Sequence, residues 1–170
     1  FRPVFPRMIP ANTKWMKLFT PKQLHKLCVK EKYDIEVSYL EGPSARVISG
    51  CPHADTKLIS WIHVEQHSIQ KASKWFRNES EARRSYGRFD KTICVSQYVK
   101  EDFCSIFDID NPCMVLYNTI ESEKIFSLSQ EPATQLLEDG MFRIAAVGSL
   151  KPSKGYDRLL RITKKLIEHN

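Results

Sequence analysis

Four short apolar runs, each separated from the next by a helical pattern, constrain this chain more than any other feature. They lie at residues 34–40, 57–62, 92–95 and 113–117. Runs this short read as strands, and the intervening segments are too long and too helical to be hairpin turns. Strands joined through helical crossovers lie parallel, so the pattern predicts a three-layer α/β domain with helices on both faces of a parallel sheet. The crossovers are expected to be right-handed.

The helices carry their own start signals. Thr20, Pro21 and Gln23 form a threonine cap, a proline at the first position and a glutamine three after the cap. Leu24, Leu27 and Cys28 supply that helix with an apolar stripe. Gly42-Pro43 breaks the first strand, and Ser44 to Ile48 forms a short helix ended by Gly50. Ser96 caps a helix over 97–107 with Val99, Phe103, Ile106 and Phe107 on one face. Residues 121–141 interrupt the alternation and read as a linker, with a short helix near Gln135-Leu136-Leu137.

A fifth apolar run at 142–147 opens a new unit. It meets Gly148 and a basic turn, Ser149-Leu150-Lys151-Pro152-Ser153-Lys154-Gly155. A helical pattern follows, with Tyr156, Leu159, Leu160, Thr163, Leu166 and Ile167 on one face. Strand, glycine turn with lysine, then helix is a phosphate-binding arrangement, because the helix N-terminus offers free N–H groups and the lysine adds charge. The domains are therefore expected at 1–120 and 142–170, joined by the linker.

Composition narrows the function classes. Of 170 residues, 42% are hydrophobic and 27% charged, which fits a packed globular chain rather than a disordered one. No apolar run approaches the roughly 20 residues of a membrane span. Five cysteines, Cys28, Cys51, Cys94, Cys104 and Cys113, show no metal-ligand spacing and read as free thiols in a reducing cytoplasm. The net charge of +6 points to an anionic partner. Residues 71–91 hold seven basic and three acidic residues around Trp75, Phe76 and Tyr86. Such a segment suits an anionic membrane surface, or else a solvated helix face with core aromatics.

In parallel sheets, ligands bind beyond the carboxyl ends of the strands. That rule selects Glu41, Gly42, His63, Glu65, Ser96, Asn118 and the 148–154 turn. Each is a polar or glycine-bearing break after an apolar run, and together they describe one rim of a cleft.

The order of these motifs resembles retaining glycosyltransferases of the GT-B fold, the family-four group that builds bacterial surface polysaccharides. The matching segments are 33–42, Trp61-Ile62-His63, 89–96, Leu116-Tyr117-Asn118-Thr119-Ile120, and Val147-Gly148-Ser149-Leu150 with Lys154-Gly155. The resemblance implies two Rossmann-like domains, with 1–120 forming most of the acceptor domain and 142–170 the first βα unit of the donor domain. It implies that the first strand with its glycine-rich loop precedes Phe1, and that a pair of donor-binding glutamates follows Asn170. On that basis the chain is a fragment and by itself inactive.

The resemblance also assigns roles. His63 matches the histidine facing the transfer site, and Gly148, Ser149 and Lys154 match the donor-phosphate turn. Glu41, Gly42, Glu65, Ser96 and Asn118 are expected to line the acceptor cleft. The family usually has arginine after the glycine, where this chain has Ser149, and an Asn-Gly pair where it has Asn118-Thr119. The expected substrates are a nucleotide-diphosphate sugar and a glycan or lipid-linked acceptor. No metal or other cofactor is expected, and no nucleic acid. The expected location is cytoplasmic, peripheral on the inner face of the membrane. A nucleotide-sugar 2-epimerase on the same architecture, and a non-enzymatic phosphate- or nucleic-acid-binding module, are the competing readings.

Overall fold

A computed structural model describes residues 13–108, 112–131 and 142–169. By its internal contacts the chain divides into two units, Phe1–Ile120 and Glu121–Asn170.

The first unit is built on four parallel strands in sequential order: β1 (Ile35–Ser38), β2 (Lys57–Ile62), β3 (Lys91–Cys94) and β4 (Cys113–Val115). Ser38 pairs with Ser60, Ile62 with Cys94, and Cys94 with Val115, so the carboxyl ends of the strands share one edge of the sheet. The helices are α1 (Thr13–Leu18), α2 (Pro21–Cys28), α3 (Pro43–Ile48), α4 (Ile69–Ala72), α5 (Glu79–Tyr86) and α6 (Gln97–Phe107). A 3-10 turn, Ser73–Trp75, joins α4 to α5. The parallel α/β sheet expected from the sequence is present, with strand limits shifted by one or two residues.

Local chemistry accounts for these elements. Thr20 accepts from the Gln23 N–H and the Gln23 side chain returns to the Thr20 N–H, a complete capping box. Asn78 and Ser96 cap α5 and α6 in the same way, accepting from the N–H groups of Glu81 and Val99. The buried face of α2 differs from the expected stripe: Leu24 and His25 are buried, and Leu27 is exposed. That exchange matters because His25 meets a carboxylate on β1.

One sheet face packs against the core. Leu58, Ile62 and Cys94 meet Ala45, Phe76, Ala82, Tyr86, Val99, Phe103 and Phe107. Tyr86 stands at its centre, 4.5 Å from Phe107 and 5.2 Å from Phe103 between ring centroids. The opposite face leaves Ile35, Val37, Tyr39, Met114 and Leu116 exposed. Fully buried Arg46 ties α3 to α5 through two 3.2 Å bonds to Glu81 and donates to the carbonyls of Met16 and Phe19. Each of the three guanidinium nitrogens thus has an acceptor, two of them on the Glu81 carboxylate.

The basic 71–91 segment resolves in favour of the core. Phe76 and Tyr86 are fully buried and partly buried Trp75 packs against the same cluster, so these rings belong to the core. Several of the cations are also committed. Arg77 donates to the carbonyls of Lys17 and Leu18, Arg83 to that of Phe107, and Arg88 to those of Ser49 and Cys51.

The second unit holds α7 (Ser122–Ser129), a 3-10 turn at Pro152–Lys154 and α8 (Tyr156–Glu168). It departs from expectation twice. The presumed linker begins with a helix, α7, whose Ile125, Phe126 and Leu128 supply helical apolar spacing. The run at 142–147 forms no strand; it has no ladder partner among the described residues, and Phe142 and Val147 are exposed. An isolated strand leaves its N–H and C=O groups unpaired, so β-propensity alone does not create one. The helix expected near 135–137 and the connector expected at 1–7 lie outside the described residues.

Candidate functional site

The carboxyl edge of the sheet brings two of the predicted segments into direct contact. The chain leaves β1 at Ser38, and Ser38 donates to the Leu40 carbonyl at 2.7 Å, folding the next residues back. Gly42 then turns at φ 76°, a left-handed conformation that favours glycine. A side chain there would also strike the Trp75 ring, with a Cβ only 2.7 Å from Cδ1. The Gly42 N–H donates to the Tyr86 hydroxyl at 3.1 Å. Burial pushes that phenol's pKa up, so Tyr86 stays a neutral hydroxyl.

This turn aims Glu41 at the end of β2. Its Oε2 accepts from the His63 backbone N–H at 3.0 Å. The His63 ring lies 5.0 Å from Tyr39 and 6.3 Å from Trp61, and is stacked on the latter. Its Nε2 is buried without a hydrogen-bond partner, as is Trp61 Nε1; among the described residues these are the two such side-chain atoms. A buried polar atom without a partner costs on the order of 1–3 kcal/mol. The edge of the sheet therefore holds an imidazole nitrogen whose hydrogen-bonding capacity is unused.

The other rim residues are placed differently. Glu65 pairs with His67, 3.4 Å away, rather than with His63. Ser96 spends its hydroxyl on the α6 cap. Asn118 lies exposed beyond β4, where the ladder is prolonged by the Leu116 N–H to the Cys94 carbonyl at 3.0 Å. The sequence reading missed the residues that hold the rim: Tyr39 and Trp61 around His63, Tyr86 beneath Gly42, and Asp102 of α6. The Asp102 carboxylate accepts from the N–H groups of Gln66 and His67, and His67 adopts φ 59°. No local pattern marks Tyr39, Tyr86 or Asp102, since their partners His63, Gly42 and Gln66 lie more than twenty positions away.

In the second unit, Gly148, Ser149 and Lys154 sit on one closed turn. The Tyr156 hydroxyl donates to the Gly148 carbonyl at 3.1 Å, and the Lys154 Cγ lies 3.7 Å from where a Gly148 side chain would begin. Gly155 takes φ 71° and delivers the chain into α8. The turn borders a shallow groove of about 490 Å³ lined by Lys151, Pro152, Asp157 and Arg158. Tyr156 is thus a clamp on the glycine turn as well as a member of the helix pattern. Basic side chains beside a helix N-terminus suit an anionic group.

Three of the thiols are held in the protonated form. Burial raises the pKa of Cys51, and that of Cys94 and Cys113 to about 12, which keeps them protonated near neutrality. One of them belongs to a second cluster. His25 of α2, Glu36 of β1 and Cys51 after α3 are buried together, with His25 Nε2 2.7 Å from Glu36 Oε2 and the Cys51 thiol 3.5 Å from Glu36 Oε1. Glu36 lies at the amino-terminal half of β1, so this cluster is well separated along the strands from the His63 rim.

A family model described as Glycosyltransferase Family 4 matches residues 1–124. No curated protein and no solved structure matches the chain significantly. Among the described residues no helix is long and apolar enough to cross a membrane. The match spans the whole sheet, including the Glu41–His63 rim, and the chain belongs to Glycosyltransferase Family 4.

Proposed function

We propose that this glycosyltransferase moves a sugar from a nucleotide-diphosphate sugar to a polysaccharide or lipid-linked acceptor, with retention of anomeric configuration. The observation that carries this reading is the buried, unpartnered Nε2 of His63 at the carboxyl edge of the sheet. In this reading Nε2 hydrogen-bonds a hydroxyl of the transferred sugar, and the ring shields the oxocarbenium-like transition state. Glu41 fixes the His63 backbone, and Tyr39 and Trp61 fix its ring plane.

The leaving group is a nucleoside diphosphate. As the bond between the anomeric carbon and the phosphate oxygen breaks, its electron pair passes to that oxygen. Lys154 and the free N–H groups at the start of α8 are suited to take up the resulting charge, and Ser149 donates one hydrogen bond where the family usually places an arginine. The acceptor hydroxyl adds to the same face of the sugar, and its proton leaves on the departing phosphate.

Product analysis tests this. The full gene product is incubated with a panel of nucleotide-diphosphate sugars and glycan or lipid-linked acceptors, and the anomeric configuration of the product is read by proton NMR. An α-configured donor is expected to give an α-linked product. A β-linked product would overturn retention, and the absence of transfer from every such donor would overturn the donor class.

A further inference from the structure

We propose that His25, Glu36 and Cys51 form a binding site for a zinc-class divalent cation, on the opposite strand end from the sugar-transfer rim. Nε2 of His25, a carboxylate oxygen of Glu36 and Sγ of Cys51 all lie within 4.8 Å of one another. Imidazole, carboxylate and thiolate are the ligand types zinc selects, and three protein ligands leave the fourth tetrahedral position free. The three residues come from a helix, a strand and a loop, so the ion would join α2, β1 and the chain after α3.

The placement favours an ion over a merely polar core. All three side chains are buried, at 3%, 5% and 0% exposure. One carboxylate and one thiolate balance a divalent charge, so the loaded centre is neutral in a low-dielectric setting. The ion displaces the thiol proton to solvent and takes the position now bridged by the 2.7 Å His25–Glu36 contact. His25 also lines an open groove of about 480 Å³, from which water can supply the fourth ligand, although Lys22, Lys26, Lys30 and Lys32 line the same groove. His25, Glu36 and Cys51 stand 11 and 15 positions apart, which matches no short ligand motif; the fold alone assembles them.

Cobalt serves as the spectroscopic probe. Co²⁺ added to the purified 170-residue chain is expected to bind one per chain and to give the thiolate-to-metal charge-transfer band and the visible bands of a tetrahedral site, which Zn²⁺ then abolishes. Cys51→Ser is expected to remove the charge-transfer band, Cys28→Ser to keep it, and Glu36→Gln to weaken binding at least about tenfold. X-ray absorption of the zinc-loaded wild-type chain needs no variant: it is expected to show one sulfur at about 2.3 Å and nitrogen or oxygen at about 2.0–2.1 Å. No stoichiometric binding, a band that survives Cys51→Ser, or a zinc shell with no sulfur or more than one would each overturn the proposal.

Discussion

Two histidines at opposite ends of the strands differ in how the fold satisfies their ring nitrogens. His25 is buried against Glu36 at 2.7 Å. His63 ends β2 with its Nε2 buried and unbonded. Both rings come from the same domain and both sit against β1 or its exit turn. The first has its partners within the fold, and removing it strands a buried carboxylate. The second has its backbone and ring plane held while its Nε2 is left unbonded. Among the described residues nearly every buried polar side-chain atom is satisfied, down to the four contacts of Arg46, which makes the two exceptions at His63 and its neighbour Trp61 informative.

The largest effect that would break this contrast lies at His25. His25→Ala, measured in chelator, is expected to cost about 3–5 kcal/mol in denaturant unfolding, because Glu36 is left as a buried charge with only the Cys51 thiol beside it. A loss below about 1 kcal/mol would mean that the pair is not structural.

Gly42 comes next, because it aims Glu41 at His63. Gly42→Ala combines a left-handed backbone with a Cβ 2.7 Å from Trp75, and is expected to cost about 1–3 kcal/mol and to impair transfer as well. Full stability together with full transfer would show that the turn does not set the rim.

The smallest effect shows that burial, rather than pairing, gives His25 its weight. Asp90 also has two partners, Lys57 Nζ at 2.8 Å and the Leu58 N–H at 2.9 Å, yet its side chain is 39% exposed. The Lys57 bond, aided by the Leu58 N–H, holds its carboxyl below the usual carboxylate range. Its contribution is therefore complete above the unfolded value of about 3.9 and fades as pH falls through the lower folded value. Asp90→Asn is expected to make the acid decline of stability slightly shallower below about pH 4 and to change nothing at pH 7 beyond a modest offset. An acid profile identical to wild type would remove Asp90 from the account.

The sequence made the sheet legible because each strand was bracketed by caps and breaks, as Thr20, Gly42 and Ser96 show. It also placed His63 and Glu41 on one edge, since both follow strands. It identified Ser96 as the α6 cap, as the structure shows, but did not reveal that Glu65 faces His67. Nor did it separate core aromatics from surface ones in 71–91, because Phe76 and Tyr86 lie among cations that bond distant carbonyls. Residues 142–147 had strand composition but no ladder partner among the described residues. For Tyr86, packed on Phe107 and bonded to the Gly42 N–H, the missing information was a partner far away in the chain.

The account rests on the open nitrogen of His63, and the paired measurement of turnover and stability in His63→Ala tests it most directly. In the full gene product, kcat/KM for sugar transfer is expected to fall by about a hundredfold, the size of one lost transition-state hydrogen bond. Stability is expected to change by no more than about 1 kcal/mol, the packing of one ring on its aromatic neighbours. Unchanged turnover with a large drop in melting temperature would make His63 a structural residue and contradict the account.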